Sequence, residues 1–83
     1  MSNNMKISPK HVRAARGLLD WSQSELAKQA RVSRATVADF ERGARTPIAN
    51  NLAAILQVLE AHGVSFGHSK SGTVMVSLSK SGD

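Results

Sequence analysis

The sequence predicts a mainly α domain of four short helices with a short C-terminal β-hairpin or strand pair. Three observations predict it. Apolar residues recur at helical spacing in successive runs, each bounded by capping and stop residues. After Gly63 the period changes to alternation. The 83 residues suffice for one small domain with one core.

Taken in order, residues 1–7 read as a polar, flexible arm. Ser8 before Pro9 is a strong helix start, a capping hydroxyl followed by a residue pre-set for the first turn. Val12, Ala15 and Leu19 share one face of the first helix, which runs to about Leu19. Asp20 and Trp21 link it to the next. Trp21 reads as a lid on the core rather than a stacking platform for bases, because a helix begins directly after it. Ser22 and Glu25 fit the S-x-x-E capping box, and Leu26, Ala27 and Ala30 give this second helix a narrow buried face. After Arg31 and Val32, Ser33 caps a third helix. Val37 and Phe40 of that helix face the core, and Gly43 ends it. Two short helices around a tight turn, the second with a polar outer face, form a helix-turn-helix pattern.

Thr46 and Pro47 open the next segment, where Asn50 is placed to cap a helix reaching about His62. Leu52, Ile55, Leu56 and Leu59 form its apolar stripe. Beyond Gly63, Val64 and Phe66 alternate with Ser65 and Gly67. Residues 67–72 are turn-like, and Val74, Val76 and Leu78 alternate again. An isolated hairpin is marginal in water. It either caps the helical core locally or pairs its edge with a second copy of the chain. The division expected is an arm at 1–7, a helix-turn-helix domain at 8–63, a β element at 64–79 suited to dimerisation, and a frayed tail at 80–83.

The stretch from Ser22 to Gly43 resembles the Cro/lambda-repressor type of helix-turn-helix, also called the XRE family. The resemblance is carried by Trp21-Ser22-Gln23-Ser24-Glu25-Leu26-Ala27, by Val32-Ser33-Arg34-Ala35-Thr36-Val37, and by Phe40-Glu41-Arg42-Gly43 with Arg45-Thr46-Pro47. It extends from about Pro9 to Gly63. The resemblance implies a four-helix lambda-repressor-like DNA-binding domain. It also implies that Arg16 pairs with Glu41, a guanidinium meeting a carboxylate through two charge-assisted hydrogen bonds. One position departs from the pattern. Arg31 stands where the family usually has glycine, so the turn either takes a strained left-handed residue or begins later.

The charge agrees in its distribution. The net formal charge is +5, and nine of the eleven Lys and Arg residues precede residue 46, against only Asp20, Glu25, Asp39 and Glu41. The excess lies in the half that carries the helix-turn-helix, as a phosphate-facing surface requires. A generic basic surface would show the same sum, so the charge alone decides nothing. Cysteine is absent, which excludes disulfides and cysteine metal sites. No apolar run approaches a membrane span, and the first ten residues lack the apolar core of a signal peptide. A cytoplasmic protein is expected. His11, His62 and His68 have no metal-ligand spacing, and no nucleophile motif or phosphate loop appears. No enzyme, cofactor or metal is expected.

The major groove admits one α-helix and displays a distinct pattern for each base pair. Arg34, Ala35, Ala38 and Asp39 occupy the outward side of the third helix. Arg34 is the first candidate for base reading, through guanine O6 and N7. Asp39 would accept from a cytosine amine, orient Arg34, or repel non-target DNA. Ala35 or the Thr36 methyl would touch a thymine methyl. For Arg34 and Asp39 the plain alternative is a solvated helix face. Ser33 lies at the helix start. Gln23 lies where the family approaches the DNA backbone, and Arg42, Arg45, Thr46 and Asn50 are further backbone candidates. Arg13, Lys10 and Lys28 are expected to supply diffuse field. The function expected is a sequence-specific transcriptional repressor, binding double-stranded DNA as a homodimer. The rival is an antitoxin that also holds a toxin protein. A third reading is a fold-stabilising module with no DNA affinity.

Overall fold

The computed structural model describes residues 7–68 and 74–79. The expectations for residues 1–6, 69–73 and 80–83 lie outside the described residues. The chain forms α1 (Pro9–Leu19), α2 (Gln23–Ala30), α3 (Arg34–Glu41), α4 (Ala49–Ala61), β1 (Val64–His68) and β2 (Val74–Leu78).

Three of the four helices start on serine. Ser8 precedes Pro9, and its backbone N–H donates to Nδ1 of His11 at 3.0 Å. Ser22 and Ser33 accept from the N–H of Glu25 and Thr36, each at 3.0 Å. The box expected at Ser22 is only half made. The Glu25 carboxylate turns away to accept from the Gln29 amide at 2.6 Å, one helical turn on. At α4 the expectation for Asn50 fails as well. The N–H groups of Asn51 and Leu52 already donate to the Ile48 carbonyl at 3.0 Å, so the chain enters the helix directly after Pro47. Ile48 is therefore the N-cap and Asn50 lies inside the first turn.

The turns between helices use left-handed residues. Arg31 has φ 60° and ψ 42°, so the helix-turn-helix turn accepts the non-glycine residue rather than starting later. The Val32 N–H reaches Ala27 O at 3.0 Å and the Arg31 N–H reaches Lys28 O at 3.2 Å. That pairing satisfies the last carbonyls of α2. Asp20 repeats the arrangement after α1, at φ 62°.

The core lies where the four helices meet. Val12 and Ala15 of α1, Leu26, Ala27 and Ala30 of α2, and Val37 and Phe40 of α3 close around Ile55 and Leu59 of α4, with Val64 from β1. Leu52 and Leu56 flank that stripe half-buried. Trp21 packs against the core and sets its ring edge-on to His62, with centroids 4.8 Å apart. The strands pair antiparallel within the chain, Val64 opposite Leu78 and Phe66 opposite Val76. β2 leans on α1 and β1 on α4, which supplies the support a lone hairpin lacks. Phe66 and Val76 face the helices, while Met75 on the outer face is 52% exposed.

Replacing Arg31 by glycine should raise stability by up to about 1 kcal/mol, because glycine adopts this φ without steric strain. Thermal melts checking this should show a higher midpoint; a fall would mean that the arginine is not strained there.

Candidate nucleic-acid interface

The end of α3 is fixed by one buried carboxylate. Glu41 is 2% exposed. Arg16 of α1 meets it with both prongs, Nε to Oε2 at 2.8 Å and Nη2 to Oε1 at 2.9 Å. Arg16 Nη1 also donates to the Trp21 carbonyl at 2.8 Å, tying in the link between α1 and α2. Gln23, the first residue of α2, donates its amide to Glu41 Oε1 at 3.0 Å. Arg13 donates to the Glu41 backbone carbonyl. α1 and α2 thus converge on one residue of α3. Among the described residues no buried side-chain nitrogen or oxygen lacks a partner.

Burial pushes the Glu41 carboxyl up. The hydrogen bonds from Arg16 and Gln23, with the charges of Arg16 and Arg13, outweigh it and hold the group below its ordinary value. The Arg16 guanidinium is pushed up, chiefly by its hydrogen bonds to Glu41.

Val37 and Phe40 turn inward, so the opposite face of α3 is left to solvent. Arg34 and Ala35 are exposed there, with Thr36, Ala38 and Asp39 half-buried at the margins. Arg34 has no hydrogen bond or ion pair with any described residue. The Ser33 and Thr36 hydroxyls meet at 2.8 Å. Asp39 pairs with Arg42 at 2.7 Å. It does not orient Arg34, which lies five residues earlier and about 140° around the helix. Arg42, Arg45, Thr46 and Asn50 are exposed. A cleft of about 310 Å³ separates the outer wall of α3 from the segment entering α4. It brings together Ala35, Thr36, Asp39, Arg45 and Thr46 from the candidate set, and adds Ile48 and Asn51.

A family model described as helix-turn-helix matches residues 12–64. The chain belongs to this helix-turn-helix family. It is of the lambda-repressor-like, DNA-binding, transcription-regulatory type. Among solved structures it is similar to the DNA-binding domain of the P22 C2 repressor, at 29% identity and a TM-score of 0.60, covering 70% of this chain and 76% of that one. It is similar to a chain of the HipA–HipB–O2–O3 complex, at 27% identity and a TM-score of 0.58, covering 72% and 87%. A mutant of the restriction–modification controller protein C.Esp1396I shares the fold at 23% identity and a TM-score of 0.58. That match covers 63% of this chain and 66% of the controller, just under two thirds of its length. No curated protein matches the chain.

Within the helix-turn-helix unit the candidate residues Ser33, Arg34, Ala35, Arg42, Arg45, Thr46 and Asn50 stand on the surface, and Thr36, Ala38 and Asp39 are half-buried. Gln23 spends one amide hydrogen inside, on Glu41. Arg13, expected to act only through its field, makes a defined bond to the end of α3. The sequence reading missed Ile48 and Asn51. The signal for Ile48 was an apolar residue directly after Pro47, where a capping side chain belongs. Among the described residues there is no group of His, Cys, Asp or Glu able to hold a metal ion, and no helix long and apolar enough to cross a membrane.

Because the folded Glu41 carboxyl titrates below its ordinary value near 4.5, its contribution is present above that pH and is lost as the pH falls through the folded value. Glu41→Gln should lower stability at neutral pH by on the order of 3 kcal/mol, since it leaves Arg16 without its counter-charge. The variant should also flatten the acid side of the stability curve. Urea unfolding between pH 3 and 7 checks both, and an unchanged acid limb would contradict the assignment.

Proposed function

We propose that this protein is a sequence-specific transcriptional repressor that binds a near-palindromic operator in double-stranded DNA as a homodimer. One observation carries the reading: α3 is clamped at its buried end while Arg34, on its open face, is exposed and without a partner among the described residues. A helix held this way is fit to enter a major groove, with residues near its N-terminus at the base edges.

In this reading Arg34 donates two hydrogen bonds to guanine O6 and N7. Ala35 and the Thr36 methyl lie against a thymine methyl, and Ala38 is small enough to let the helix approach. Asp39 holds Arg42, and the pair sits beside the backbone. Ser33, Gln23, Arg45, Thr46 and Asn50 meet phosphates and set the register. Residues 8–63 form the reading unit, and the strand pair at 64–79 joins two copies. Met75, 52% exposed on the outer face of β2, is an apolar group available for that contact. Half-site centres would then lie about 34 to 36 Å apart.

The likeness to the P22 C2 repressor's DNA-binding domain supports the repressor reading. The likeness to a chain of the HipA–HipB–O2–O3 complex favours a second reading, an antitoxin that holds a toxin protein as well as DNA. An adjacent reading frame for a toxin, copurifying with this chain, would select the second.

Selection from random duplexes should enrich a two-fold symmetric sequence, and enrichment of nothing at low salt would overturn the proposal. On the selected duplex, Arg34→Ala should weaken binding by about 1 to 3 kcal/mol and relax one base position per half-site. Arg45→Ala should weaken all sequences alike and reduce the salt dependence. Unchanged sequence preference in the first variant would remove Arg34 from base reading.

A further inference from the structure

We propose that Ile48, at the entrance to α4, is a specificity residue: with the facing wall of α3 it seats the 5-methyl group of a thymine in duplex DNA. The inference rests on the DNA-binding reading above and adds a residue from outside the recognition helix.

Ile48 is 69% exposed, the most exposed of the large apolar residues among those described. Its side chain is not part of the core. Nor does local structure ask for it. It holds an N-cap position, where isoleucine has no group to offer the free amides and makes no side-chain cap bond. Serine holds the other three caps. A residue unfavourable for its local structure and absent from the core points to a demand from outside the fold.

Its surroundings define that demand. Ile48 and Pro47 form one wall of the cleft beside α3, and exposed Ala35 stands on the other. At about 310 Å³ the cleft has room for the edge of a pyrimidine. Thr36, Thr46 and Asn51 also line it, and Asn51 carries an amide donor. Arg45 lines it, and Arg34 and Arg42 are exposed nearby, so the surroundings suit a polyanion. Thymine alone among the four bases sets a methyl group beside an acceptor, O4, on its major-groove edge. The apolar pair Pro47 and Ile48 facing the Ala35 methyl, with the Asn51 amide in the same lining, matches that pairing. The one carboxylate in the cleft, Asp39, is engaged by Arg42 and leaves less call for a cytosine amine.

The test uses a duplex selected by the wild-type chain, with each thymine replaced singly by deoxyuridine, which deletes only the methyl. Replacement at one position per half-site should weaken wild-type binding about fourfold per methyl, the equivalent of about 0.8 kcal/mol for one buried methylene. Ile48→Ser should lose most of that discrimination, because only the α3 wall is left to meet the methyl. Its melting temperature should match or exceed that of the wild type, because serine is the better cap. Wild-type indifference to every deoxyuridine overturns the inference, and so does full discrimination retained by Ile48→Ser. A gain from 5-methylcytosine without any loss from deoxyuridine would assign the seat to another base and also overturn it. Failure to select any duplex would take down the DNA-binding reading itself. That result is distinct from a duplex that binds tightly with or without its methyl groups.

Discussion

The fold turns on a carboxylate that water does not reach. Desolvating Glu41 is unfavourable, and in isolation it would favour the protonated acid or a different fold. The chain supplies two prongs from Arg16 and an amide from Gln23, and it places Arg13 on the same residue's backbone. Such a cluster is weak as a source of net stability, because attraction and desolvation nearly cancel. It is strong as a constraint, because few arrangements of α1, α2 and α3 satisfy every donor at once. The orientation of α3 against the other helices follows from that constraint.

This matters because α3 is only eight residues long. A helix of that length is not stable alone in water. Its order comes from Val37 and Phe40 in the core, Ser33 at its start and Glu41 at its end. All three supports lie on the inner side or at the termini. The outer side is thereby relieved of structural duty, and an unpaired arginine there does not compromise the fold. Rigid support behind and free chemistry in front is the arrangement that precise recognition of a surface needs.

Much of this was legible in the sequence, and the gaps have physical causes. The starts of α1, α2 and α3 were readable at Ser8, Ser22 and Ser33, because a cap is a contact within one turn. The change to strands after Gly63 was readable because pleated and helical periods differ. Glu25 misled because two partners compete for it, and Gln29 one turn ahead won over the Ser22 backbone. Asn50 misled because Pro47 brings the chain into helix two residues early. The second duties of Gln23 and Arg13 were hidden because their partner is 18 and 28 residues away in sequence. The cleft was hidden for the same reason: Ala35 and Ile48 line one cleft only once the chain has left α3 and turned into α4. The resemblance paired Arg16 with Glu41, and the two lie 2.8 Å apart; composition and periodicity alone would not have linked them.

The most direct measurement follows the arginine side chains as the protein meets DNA. In an isotope-labelled sample titrated with its selected duplex, the Nε–H signals of Arg34 and Arg16 report the open face and the buried clamp separately. The account predicts a large shift for Arg34 and for amides of residues 33–39, 45–46 and 48–51, with Arg16 unmoved. A shifted Arg16 with Arg34 unchanged would contradict it, because the clamp would then be the part that yields and the open face would not be where the partner binds.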